Sequence, residues 1–184
     1  MEYPMITFQS PRPEKGGTCS ERTKHGLISM VIHEVGHSWF PMIVNSDEQR
    51  WRWMNEGLNS FVQFLAEREW AEACPSRLQQ SNGKRNMFTY MKRNDIRPIM
   101  FAADNLISGS HNAYGKPTLA LTILQESILG REQFDFAFKQ YANRWKFKRP
   151  TPFDFFRTMA MSPVEGNSRK RPESDHGCRK RVLR

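Results

Sequence analysis

The segment Val31-Ile32-His33-Glu34-Val35-Gly36-His37 sets two imidazoles four residues apart, with a carboxylate directly after the first. On a helix of 3.6 residues per turn, positions i and i+4 stand one above the other, so both rings can aim a nitrogen at one metal ion. The chemistry this suits is that of zinc, which takes imidazole readily and, where it does chemistry, keeps three protein ligands and one open position. The third ligand must come from elsewhere. Glu56, after 18 intervening residues and at the start of the next amphipathic stretch, is the candidate. A turn between antiparallel helices would carry its carboxylate back to the histidines. Burying an acid beside two histidines on apolar helices is costly without a cation, which favours a metal over a merely hydrogen-bonded histidine pair.

Two helices must position these groups. Apolar residues at helical spacing predict one from Gly26 to about Val44, buried over much of its circumference, and a second from Asn55 to Trp70 through Leu58, Phe61, Val62 and Leu65. Upstream, residues 1–9 hold β-formers with an early proline and predict an edge strand, while Ser10 to Lys24 reads as a loop. Downstream come a short helix around Met87 to Arg93, a helix from Lys116 to Leu129 with Gly130 as its C-cap, and another from Glu132 to Phe147. Thr151 and Pro152 have the look of an N-cap and first helical residue opening a short helix through Thr158. The class is mainly α with a short N-terminal edge strand.

A chain of 184 residues has room for one domain with its own core. Its 38% apolar content and mean hydropathy of −0.70 describe a globular chain, and no apolar run nears the roughly 20 residues of a membrane span. No signal peptide is visible, and the compartment is unread. Cys19, Cys74 and Cys178 are odd in number and widely spaced, and read as free thiols. The net charge of +9 invites a nucleic-acid partner, but residues 162–184 carry seven basic against three acidic side chains, with few apolar ones. That segment reads as a disordered, solvated tail, and nucleic acid is disfavoured as a partner.

The arrangement His33-Glu34-x-x-His37-x(18)-Glu56, with the string Asn55-Glu56-Gly57, resembles the gluzincin aminopeptidases of peptidase family M1, the aminopeptidase N and leukotriene hydrolase type. Met1-Glu2-Tyr3-Pro4 is similar to the family's G-x-M-E-N motif, with Tyr3 where many members have Asn, and Ala113-Tyr114-Gly115 falls where the family places its catalytic tyrosine. The resemblance implies the helical part of a thermolysin-like metallopeptidase domain over residues 1–161, with one zinc ion on His33, His37 and Glu56. It also implies that Glu34 activates water, that Tyr114 donates to the oxyanion, and that Glu2 grips the α-ammonium of a peptide with a free N-terminus. The chain starts inside the first motif and its tail leaves the family pattern. A catalytic domain incomplete at both ends is therefore expected, with a frameshift as the tail's origin, exposed apolar patches, and weak or absent activity from the isolated chain. Two other readings stay open: an endopeptidase using the same metal site, and a catalytically silent fragment that binds through its basic tail.

Overall fold

The first helix begins where Ser20, in extended conformation, turns its hydroxyl to accept a hydrogen bond from the Thr23 amide at 3.1 Å. Glu21 in the first turn complements the helix dipole. In the computed structural model this helix, α1, spans Glu21–Gly36. The structure describes residues 1–162 apart from 11, 74–87, 103 and 105–109, and the backbone alone at 71–73. Nearly all of the basic tail, along with Cys74, Cys178 and Met87, lies outside the described residues; Cys19 is an exposed free thiol.

Two corrections concern α1. It starts inside the stretch read as a loop, because its first turn is polar and is signalled by a cap rather than by apolar spacing. It also stops at Gly36 instead of Val44, and residues 37–43 form turns. Pro41 has no N–H with which to continue the helical ladder. Nor is the helix buried around its circumference: Glu34 is its one buried residue, and Val31 and Val35 are 40% and 57% exposed.

The second helix, α2, spans Leu58–Ala73 and is preceded by a π-helical turn over Trp53–Gly57. Asn59 meets the His33 end of α1 and Gln63 meets Ser29, so the two helices run antiparallel, as expected. A helical turn covers 88–91. Helix α3, Lys116–Ile123, is flanked by π-helical turns at His111–Gly115 and Leu124–Leu129. Gly130, at φ 82°, then ends that run and opens α4, Arg131–Trp145. Helix α5, Pro152–Met161, starts with a capping box in which Thr151 and Asp154 satisfy each other's backbone amides.

The expected edge strand is instead a small antiparallel hairpin, β1 (Glu2–Tyr3) on β2 (Ile6–Thr7), because Pro4 and the positive φ of Met5 turn the chain back at once. A parallel bridge ties Val44 to Lys148, with the Asn45 amide donating to the Lys148 carbonyl at 3.0 Å. The core lies between α2, α4, α5 and the turns after α1. It holds Phe40, Trp53, Phe61, Phe134, Tyr141 and Phe155, all nearly solvent-free. Tyr141 and Phe155 meet edge to face at 4.9 Å, and Phe61 and Phe134 at 5.2 Å, a preferred aromatic geometry.

Candidate metal centre and active site

The end of α1 and the π-helical turn before α2 bring three donor atoms together. His33 Nε2 and His37 Nε2 are 3.1 Å apart, and Glu56 Oε2 lies 3.3 and 3.4 Å from them. Ligands on a tetrahedral zinc with arms of about 2.1 Å stand about 3.4 Å from one another, so the triangle has the size of one face of such a site. Although α1 has ended, His37 keeps helical dihedrals of φ −60° and ψ −22° with its amide on the His33 carbonyl, so the i, i+4 relation survives.

Each imidazole is fixed from behind. His37 Nδ1 donates to the Phe40 carbonyl at 2.8 Å, and His33 Nδ1 donates to Gln63 Oε1 at 2.8 Å. With the proton on Nδ1, each ring turns a bare lone pair on Nε2 toward the other and toward the carboxylate. Glu56 Oε2 is buried without a hydrogen-bond partner. Three electron-rich atoms facing one point call for a cation between them, and His33, His37 and Glu56 are the residues that could hold it.

Without an ion, protons on the imidazoles can fill the same gap. Burial is the largest influence on Glu56 and acts to raise its pKa, yet the two imidazoles and the Tyr114 hydroxyl outweigh it and hold the carboxyl well below the usual carboxylate range. For His37, burial likewise opposes the charge, but Glu56 and the Phe40 carbonyl prevail and raise the pKa. Tyr114 is pushed the other way: burial first, then the Glu56 charge, keep its phenol protonated far above neutrality.

Glu56 and Tyr114 each sit in a π-helical turn, and the two turns pack directly on one another. Gly57 permits this, since a Cβ there would lie 2.5 Å from Pro117 Cγ and 3.0 Å from the Ala113 carbonyl oxygen. At Gly36 the constraint is similar: a Cβ would overlap the Asn59 side chain, which is fully buried and donates to the His33 carbonyl at 2.8 Å. The sequence names both glycines but not the π turns or Asn59.

Glu34 is buried on the same side, and one oxygen of each of Glu2 and Glu34 falls within 4.8 Å of a His37 ring nitrogen. The α-ammonium of Met1 rests there, 2.5 Å from Glu34 Oε1 and 4.0 Å from Glu2 Oε2. The structure thus brings together all six side chains singled out by sequence: Glu2, Glu34, His33, His37, Glu56 and Tyr114. Sequence reasoning missed Gln63, Asn59 and the Phe40 carbonyl. Gln63 carried a usable signal, since it stands seven residues after Glu56 and therefore on the same helix face.

A helical fold with this histidine–glutamate triangle defines a metallopeptidase-like domain. The family model of the peptidase family M1 domain matches residues 13–167, and the chain belongs to that family. It is 28% identical to rat aminopeptidase B over 84% of its own length, and 27% identical to human glutamyl aminopeptidase over 71%. It spans only 24% and 14% of those proteins. An M1 zinc metallopeptidase from Deinococcus radiodurans, solved with a Tyr-Ser-Ala substrate, superposes on 88% of this chain with a TM-score of 0.59 at 17% identity, and this chain covers 35% of it. No helix among the described residues is long and apolar enough to cross a membrane.

Proposed function

We propose that this domain hydrolyses the peptide bond next to a free N-terminus, as a zinc-dependent aminopeptidase. The observation that carries the reading is the triangle of His33 Nε2, His37 Nε2 and Glu56 Oε2, each nitrogen stripped of its proton by a hydrogen bond on the far side of its ring. Zinc held by these three residues supplies Lewis acidity and brings the pKa of a bound water toward about 7. Glu34, buried at the edge of the triangle with Oε2 unpartnered, is the group to accept a proton from the attacking water and return it to the departing amine. Tyr114 keeps its phenolic proton and can donate it to the carbonyl oxygen as charge develops there, an interaction worth about 3 kcal/mol.

Glu2 supplies the preference for a free amine, by gripping the α-ammonium of the substrate. The Glu2 carboxylate and that of Glu34 each come within 4.8 Å of a His37 ring nitrogen, so Glu2 faces the same side of the triangle as the base. An endopeptidase would use Glu34 as its base but has no need of Glu2.

The test is metal content first. The purified chain is expected to hold about one zinc, lost in His37→Ala; absence of zinc after reconstitution overturns the reading. Glu34→Gln is expected to keep the zinc while hydrolysis falls about 100-fold or more. Cleavage that is indifferent to N-acetylation of the peptide would favour the endopeptidase instead.

A further inference from the structure

Behind His33 stands a network of which the reading above uses only the first contact. Gln63 Oε1 accepts from His33 Nδ1 at 2.8 Å, while Gln63 Nε2 donates to the Ser29 carbonyl at 3.2 Å, Ser29 Oγ at 2.9 Å and Glu67 Oε1 at 2.7 Å. Ser29 Oγ in turn donates to the same Glu67 oxygen at 2.5 Å. A side-chain amide can rotate by half a turn and exchange oxygen for nitrogen, which would reverse what it asks of the histidine. Here it cannot do so freely. The Ser29 carbonyl and the Glu67 carboxylate only accept, so flipping Gln63 would set its oxygen against both.

We infer that Gln63, oriented by Ser29 and Glu67, is a positioning residue that holds His33 in the Nδ1–H tautomer and so keeps its Nε2 lone pair on the metal side. The two imidazoles are locked by different means: His37 by a backbone carbonyl that no side-chain substitution removes, His33 by a neutral amide whose direction depends on a carboxylate two contacts from the triangle. The site's metal affinity is therefore open to adjustment from Glu67, a half-buried residue outside the ligand set.

This inference rests on the zinc reading for its consequence but not for its test. Long-range nitrogen–proton NMR on the metal-free, labelled chain, above the imidazole titration range, reads the His33 tautomer directly. The unsubstituted chain and the double variant Gln63→Glu with Glu67→Gln, which keeps an acceptor for His33 and gives the second oxygen at position 63 a donor, are expected to show Nδ1–H. Gln63→Met removes the acceptor and is expected to give a mixture of tautomers, and Glu67→Lys turns the amide and shifts His33 toward Nε2–H. Zinc competition with a chelator should then show Gln63→Met and Glu67→Lys weakened about tenfold or more, and the double variant Gln63→Glu with Glu67→Gln within about threefold of the parent. An unchanged tautomer in both Gln63→Met and Glu67→Lys overturns the inference. A parent chain with Nδ1–H that binds no zinc overturns the zinc reading while leaving the tautomer assignment standing.

Discussion

At the scale of the residue, the site depends on two glycines as much as on its ligands. Gly36 lies against Asn59, and Asn59 cannot move aside because it is fully buried and bound to the His33 carbonyl. Gly36→Ala should therefore cost about 1–3 kcal/mol by overpacking and spread the two imidazoles. Adding Asn59→Ala should recover part of that loss, a non-additivity visible in thermal denaturation of the single and double variants. The ligand residues themselves were legible, since His33, His37 and Glu56 announce themselves by type and spacing. Asn59 was not, because an asparagine inside a helical stretch carries no mark of the carbonyl it will meet 26 residues away or the glycine it will face.

At the scale of the element, capping chemistry could be read and helix ends set by tertiary contact could not. Thr151 and Pro152 foretold the start of α5, and Gly130 the end of the run before α4, since each acts through its own backbone. The π turns carrying Glu56 and Tyr114 show no such local signal; what the structure ties to a residue is their close packing, which Gly57 permits against Pro117. Gly57→Ala is thus expected to separate the two turns and reduce zinc affinity with little change in far-UV circular dichroism. For α5, Asp154 has its pKa lowered by the Thr151 amide and hydroxyl. A carboxyl whose folded pKa lies below its unfolded value of about 3.9 contributes stability above that value and loses it as pH falls through the folded one. Asp154→Asn should therefore cost about 1 kcal/mol in denaturant titrations at neutral pH and almost nothing in strong acid.

At the scale of the whole molecule, the described residues form an aromatic core flanked by apolar surface. Val35, Trp39, Ile43, Val62, Phe138 and Ala142 line an open groove of about 520 Å³. Elsewhere Phe147 and Phe153 are 81% and 67% exposed. Apolar surface on this scale favours association, so sedimentation velocity is expected to show larger species as concentration rises, reduced by Trp39→Lys. Exposed apolar patches were expected of a domain incomplete at both ends, and Val31, Val35 and Trp39 carry them on and just after α1, but helical spacing alone says which residues share a face and not whether anything covers it. Phe155 lies at the centre of the core beside Trp53 and Tyr141, and Phe155→Ala should cost about 3–5 kcal/mol in thermal unfolding.

The carbonyl that fixes His37 belongs to Phe40, whose own ring is packed near Phe138 and Tyr141 in that core. The strand-like turn that follows is pinned to Lys148 at the far end of α4. One imidazole is thereby anchored to the buried aromatic core, the other to a half-exposed polar network on the helix surface. Departure of a bound ion would begin at His33, whose network lies nearer solvent, and be completed only when His37 and Glu56 let go. Metal loss to a chelator should accordingly follow a single phase paced by those last ligands, and Phe155→Ala should accelerate it.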